Sequence, residues 1–233
     1  VMVVDPITDN PVAGESFVVT GSISSDNGSA LQLRNGNPLA ANVLFRINGD
    51  ASGFTLSDGQ IQADGSWSAT IVLSSLFAAG THVAQAEYIP SVNYYSGSSA
   101  NQSFDSRGYT VLTFVQPTLD GVNQPSLNDR TDRGDDVNAR LLLVDNTGAA
   151  VVGVPVTVTL NGTPVSTIGT TDSSGIVDVN LTVPSDASVG FHDLDAEFTG
   201  TAGSTGLIGD NATVKFVVLA QTEIVITESS TAI

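Results

Sequence analysis

The 233 residues carry 24 acidic side chains against 7 basic ones, for a formal net charge of −17, and no cysteine. Such a balance repels phosphate backbones and anionic bilayer surfaces, which argues against nucleic-acid binding and membrane association, and the missing cysteine removes disulfides and thiol chemistry. No apolar run approaches the ~20 residues of a spanning helix. Lys215 is the one lysine, and an aspartate-rich, lysine-poor surface suits a saline medium as well as it suits an ordinary acidic secreted protein.

From the start of the chain, short runs of period two alternate with turn clusters. "AGESFVV" from Ala13 leads to the turn Asp26-Asn27-Gly28, and later turns fall at Asn48-Gly49-Asp50, Asp58-Gly59 and Asp64-Gly65. "SWSATIVL" from Ser66 sets Trp67, Ala69, Ile71 and Leu73 on one face, with Ser68 and Thr70 on the other. "VPVTVTL" from Val154 alternates likewise, is followed by the turn Asn161-Gly162, and precedes the turn Ser173-Ser174-Gly175. "IVDVNLTV" from Ile176 then places Val177, Val179, Leu181 and Val183 inward. Period two with frequent turns is the signature of half-buried antiparallel strands, and no stretch has convincing helical periodicity. The fold class is all-β.

The chain also says one thing twice. "GTHVAQAEY" (80–88) and "GFHDLDAEF" (190–198) share Gly-x-His-x-x-x-Ala-Glu-aromatic at an offset of 110, which Gly65 and Gly175, Ile71 and Leu181, and Leu73 and Val183 also obey. Upstream, Asn48-Gly49 aligns with Asn161-Gly162, and "AGESFVV" with "RGDDVNA"; downstream, "TVLTFV" near Val111 aligns with "TVKFVV" near Val214. Length changes between strands are those of two related sandwiches that differ in their loops. The expected domains are residues 1–117 and 118–221, with 222–233 ("TEIVITESS" onward) the opening strand of a further domain or a strand donated to a neighbouring subunit.

The line "LLLVDNTGAAVVGVPVTVTLNG" followed by "TTDSSGIVDVNLTVPSDASVGFHDLDAEF" resembles the bacterial and archaeal immunoglobulin-like repeats of large surface proteins, over most of residues 135–218 and more loosely over 14–116. The resemblance implies two tandem immunoglobulin-like antiparallel β-sandwiches on an extracellular cell-surface protein. It implies a surface-layer, stalk or filament unit that acts as a spacer and contacts copies of itself or neighbouring domains of one long chain. The alternative is an adhesin-type module that recognises a glycan or a protein on a host surface through its loops. Accessory domains of a secreted enzyme are a third reading.

Candidate sites are few. His82 and His192 are the only histidines, and strand parity puts each on the inward face of its strand, as a core-edge histidine bonded to a loop carbonyl. One edge histidine per domain builds no Ser-His-Asp triad, and no Gly-x-Ser-x-Gly elbow, His-Glu-x-x-His or phosphate-cradling Gly loop occurs, so the chain is not expected to be an enzyme and calls for no organic cofactor. Asp120, Asp129, Asp132, Asp135 and Asp136 form an acidic stretch of hard oxygen ligands suited to calcium, interrupted by Arg130 and Arg133 and without ordered Asp-x-Asp-x-Asp-Gly spacing. Arg133-Gly134-Asp135 invites an integrin-binding reading, but its repeat partner Gly14-Glu15-Ser16 makes the glycine a turn before a strand. Five Asn-x-Ser/Thr sequons mark Asn27, Asn101, Asn161, Asn180 and Asn211 as glycan acceptors. Tyr94 and Tyr95 are the exposed aromatics that a sugar would stack on.

Overall fold

The computed structural model describes residues 1–31, 43–90, 96–118, 130–164 and 169–219. Among these there is no helix, and two compact units emerge. The first comprises Val1–Thr110 with Val144–Ala149 and Thr199–Gly209, the second Val111–Leu143, Ala150–Phe198 and the chain from Asp210 onward.

The first unit stacks two antiparallel sheets. One takes β1 (Met2–Val4), β2 (Ser16–Ile23), β5 (Ser66–Leu73) and β4 (Phe54–Asp58) in the order β1-β2-β5-β4; the other is β3 (Val43–Ile47), β6 (Gly80–Tyr88) and β7 (Ser98–Ser106) in chain order. Inward residues of both sheets merge into one core, with Phe17, Val19, Trp67, Ile71 and Leu73 from one and Phe45, Ala84, Ala86, Tyr88 and Phe104 from the other. Burying such aliphatic and aromatic side chains stabilises the fold by roughly 1.5–3 kcal/mol each.

In the second unit β8 (Gly108–Thr118) lies beside β10 (Asp136–Asp145), which pairs with β14 (Ile176–Thr182). Beyond β8 the hydrogen-bonded ladder continues through β16 (Leu207–Val218), whose Leu207 and Ile208 run parallel to Gly108 and Tyr109, to β15 (Gly190–Gly200) and β11 (Pro155–Leu160), with β12 (Thr163–Pro164) and β13 (Gly169–Thr170) on β11 and β9 (Arg130–Thr131) running parallel to β16. Val137, Ala139, Leu141, Val177, Val179 and Leu181 of β10 and β14 are buried, as are Val156, Val158, Leu194, Ala196 and Phe216 of β11, β15 and β16. Trp67, Ile71, Leu73, Val179, Leu181 and Val183 are all buried, and Asn180 is exposed, as the alternation requires.

Turn chemistry repeats with the strands. Gly65 and Gly175 adopt φ of 86° and 75°, and a Cβ on either would come within 2.4 Å of a carbonyl oxygen, that of Ile23 or Leu143. Only glycine fits there, because both the positive φ and the backbone contact exclude a side chain. Each glycine carbonyl accepts from the amide of that same neighbour, Ile23 (2.8 Å) or Leu143 (2.9 Å), and so locks the turn to the adjoining strand.

One strand assignment differs from the sequence expectation. The segment "TVLTFV", expected to close the first sandwich, lies from Val111 onward in the second unit, where β8 adjoins β10 as β1 adjoins β2. The last strand of the first unit is instead β7, whose Phe104 rests on His82 (ring centroids 5.5 Å apart) as Phe216 of β16 rests on His192 (5.7 Å). β7 hides this role because the alternation over "SSANQSFDS" is mostly polar. The two units also differ from each other: β4 pairs with β5, whereas β12 and β13, which follow β11 in the second unit, both pair with β11.

Candidate functional site

The most closely repeated feature is a polar clasp at one end of each sandwich. Asn48 and Asn161, each followed by glycine, are the two non-glycine residues with positive φ (52° and 48°) among the described residues. Asparagine tolerates that conformation better than most residues, and here it turns its amide back across the strand ends. Asn48 Oδ1 accepts from the Val83 amide (2.9 Å) and Asn161 Oδ1 from the Asp193 amide (2.9 Å). Each Nδ2 then faces the Nδ1 of the neighbouring histidine, at 2.9 Å for His82 and 2.5 Å for His192.

This network assigns the tautomer. An amide Nδ2 can only donate, so Nδ1 of each imidazole accepts and the ring proton resides on Nε2. From there it is donated to a loop carbonyl, Ala78 O (3.1 Å) for His82 and Ser188 O (2.7 Å) for His192. In the first unit Ser106 Oγ joins, 3.0 Å from His82 Nε2, while its own hydroxyl donates to Ala78 O at 3.0 Å. Burial is the main reason that His82 titrates below its ordinary value, against the Ala78 carbonyl and Asp105, which favour the charged form. Every ring nitrogen is occupied by a partner of its own unit, which leaves neither imidazole a lone pair for a metal or for proton transfer without dismantling the clasp. Sequence reasoning placed both histidines correctly but treated Asn48 and Asn161 only as turns. The signal was there, in an Asn-Gly preceding the Gly-x-His strand in both copies.

The other candidates are dispersed. Asp132 and Asp135 close a tight turn on each other, the Asp132 amide donating to Asp135 Oδ2 (3.1 Å), and Asp136 Oδ1 accepts from Thr182 Oγ1 (2.6 Å). Among the described residues no three acidic or histidine side chains gather closely enough to hold a metal, and Asp120 and Asp129 lie outside those residues. Gly134 has φ of 85°, in keeping with a turn, and the Arg133 Nε donates to Ala187 O at 2.6 Å. All five sequon asparagines are exposed. Asn161 is engaged in the clasp, Asn180 Oδ1 accepts from Asn138 (2.6 Å), and Asn27 Oδ1 accepts from Ser25 and Ser29 within its own turn. Tyr94 and Tyr95 fall outside the described residues.

One cavity adjoins the second clasp, about 440 Å³, with Leu160, Leu181, Pro184 and Ala187 forming apolar walls and Asn161 and His192 at its polar side. At the offset of 110, Ala187 occupies the place of Phe77, whose ring lies 4.5 Å from that of His82.

No protein-family model matches this chain, and no curated protein matches it. Solved structures do. The 3Ig structure of titin domains in an E-to-A mutated variant is similar over 93% of this chain and 64% of that one, at 13% identity and a TM-score of 0.50. The Yersinia pseudotuberculosis adhesin InvE matches over 93% and 58% at 16% identity and a TM-score of 0.36, and domains 5-6 of the S-layer protein SbsC over 95% and 98% at 16% and 0.29. The chain spans just under two thirds of an I-band fragment of titin, 65% of its length. Identities this low speak to fold alone. The chain is two tandem immunoglobulin-like β-sandwiches.

Proposed function

We propose that this chain is a structural segment of an extracellular surface protein, built from bacterial- or archaeal-type immunoglobulin-like repeats that space, stiffen and contact copies of themselves. The carrying observation is the doubled clasp: the most faithfully repeated polar groups are consumed in tying strand ends together, and none is aimed at a ligand. A feature kept for architecture in both copies suits a load-bearing array. The acidic, lysine-poor surface suits an extracellular, saline setting. In this reading the second repeat runs to about residue 221, and residues 222–227, which lie outside the described residues, open the next repeat or pair with another copy. Calcium at the stretch from Asp120 to Asp136 would stiffen the junction, and Asn27, Asn101 and Asn211 are the preferred glycan acceptors because, among the described residues, their side chains are not drawn into a cross-strand bond.

Single-molecule stretching of the 233-residue chain tests the spacer role. Two separate unfolding events are expected, each releasing on the order of 30–40 nm, the contour of roughly a hundred residues. Extension without resistance would overturn the reading. An adhesin-type module is the second reading, favoured by the open cavity beside His192.

A further inference from the structure

Among the described side chains, the outward residues of β1, β2, β5 and β4 are uncharged, in a chain of net charge −17, and two flanking carboxylates, Asp5 and Asp64, accept from the outward hydroxyls of Thr20 and Ser66. Register puts Ser16 opposite Val72, Val18 opposite Thr70 and Thr20 opposite Ser68. Val3 extends this face on β1 and Thr55 on β4. Val18 is 54% exposed, Val3 45% and Val72 40%, so branched apolar groups stand in water among hydroxyls. Asp5 sits at the margin, where its Oδ2 accepts from Thr20 Oγ1 at 2.7 Å.

The second unit shows that the sheet does not require this composition. At the repeat offsets Ser16, Thr20 and Ser68 correspond to Asp136, Arg140 and Asp178, and there Arg140 and Asp178 form a two-pronged ion pair of 2.7 and 2.9 Å. The same sheet, with the same inward pattern, is charged outside in one copy and neutral outside in the other.

We propose that the neutral face of the first unit is a lateral contact that pairs with the same face of a second copy; this rests on the self-assembling reading above and names its surface. Three physical points select a second copy. Chains of equal large charge repel wherever their carboxylates meet, so a face with carboxylates only at its rim is where they approach most cheaply. A hydroxyl both donates and accepts, which makes a Ser/Thr sheet complementary to itself across a two-fold axis, as an acidic or basic face is not. Short side chains let two sheets close to about 10 Å with their valines interleaved. The area is modest. Eight residues of β2 span about 27 Å and four strands about 19 Å, or roughly 500 Å² per copy. Both copies together reach the lower bound of specific interfaces, so the pair is weak alone and becomes firm when many repeats engage at once.

Sedimentation equilibrium of the 233-residue chain at ~0.1–1 mM, in low and high sodium chloride, tests the proposal; pairing with a Kd in this range is the weak regime expected. Association should strengthen with salt, because screening removes repulsion and no ion pair is lost. The variant S16D/T20R/S68D, which transplants the second unit's charges, should weaken association at least tenfold, and so should V18K alone if the triple variant unfolds. R140S/D178S on the second unit should leave it unchanged. Association that survives both first-unit variants overturns this surface while leaving self-assembly standing. A wild-type chain that stays monomeric in high salt overturns the contact itself, with the spacer role still judged by stretching.

Discussion

Each sandwich holds a histidine between an asparagine and a loop carbonyl, yet the two histidines live in different company. His82 has Ser106 as a further partner and lies between Phe77 and Phe104, at ring separations of 4.5 and 5.5 Å. Among the described residues His192 stacks on Phe216 alone (5.7 Å), and it borders a cavity, because Ala187 stands where the first unit has Phe77. The hydrogen bonds that repeat are the ones that fix backbone geometry, whereas the packing around them was free to vary. An unpaired buried donor or acceptor costs about 1–3 kcal/mol, while a gap beside a ring loses only part of its contacts, and that asymmetry explains which half of the device is shared.

The largest break in this comparison should come from His82→Ala. It strands Asn48 Nδ2 and removes the ring between two phenyl groups, so the first unit should lose about 2–4 kcal/mol in urea unfolding, against about 1–2 for His192→Ala in the second. Equal losses would show that the extra neighbours of His82 contribute nothing.

Asn161→Gly keeps the positive φ and removes only the side chain, so the second unit should lose about 1 kcal/mol while the thermal transition of the first stays put. A larger loss would mean that the asparagine holds more than the histidine and one amide.

Ala187→Phe sharpens the packing half. If the cavity is the space filled by Phe77 in the first unit, the new ring should stabilise the second by roughly 0.5–2 kcal/mol, seen as a higher midpoint of its unfolding transition. Destabilisation would refute the equivalence of the two positions.

The smallest effect concerns pH. His82 is depressed in the folded state, so folding favours its neutral form; its contribution is complete above the unfolded value near 6.5 and is lost as pH falls from there through the folded pKa. Stability of the first unit measured from pH 7.5 to 5 should decline, and His82→Gln should flatten that decline. A stability that rises on acidification would reverse the assigned sign. Asp178 is likewise depressed, by its bond to Arg140, but the pair is well exposed, so Asp178→Asn should leave unfolding nearly unchanged.

By itself the chain determined a good deal. Which side of each strand is buried follows from period two, since a slip of one residue in "SWSATIVL" or "IVDVNLTV" would put Trp67, Ile71 and Leu73, or Val177, Val179 and Leu181, in water. The turns follow from glycine and asparagine, the only residues at ease with the φ values found at Gly65, Gly175, Asn48 and Asn161. The two histidines were placed at the core edge by parity alone. Tertiary structure decided the partners. Alternation tells a strand which face to bury but not which edge to join, because ladder hydrogen bonds are made by a backbone that every residue shares. That is why the pattern of "TVLTFV" points to the end of the first sandwich although from Val111 it lies in the second unit, and why the polar "SSANQS" of β7 gives no strand signal. The clasp was beyond local reading for the same reason: Asn48 and His82 stand 34 residues apart and Asn161 and His192 31 apart, and only the pairing of β3 with β6 and of β11 with β15 brings amide to imidazole.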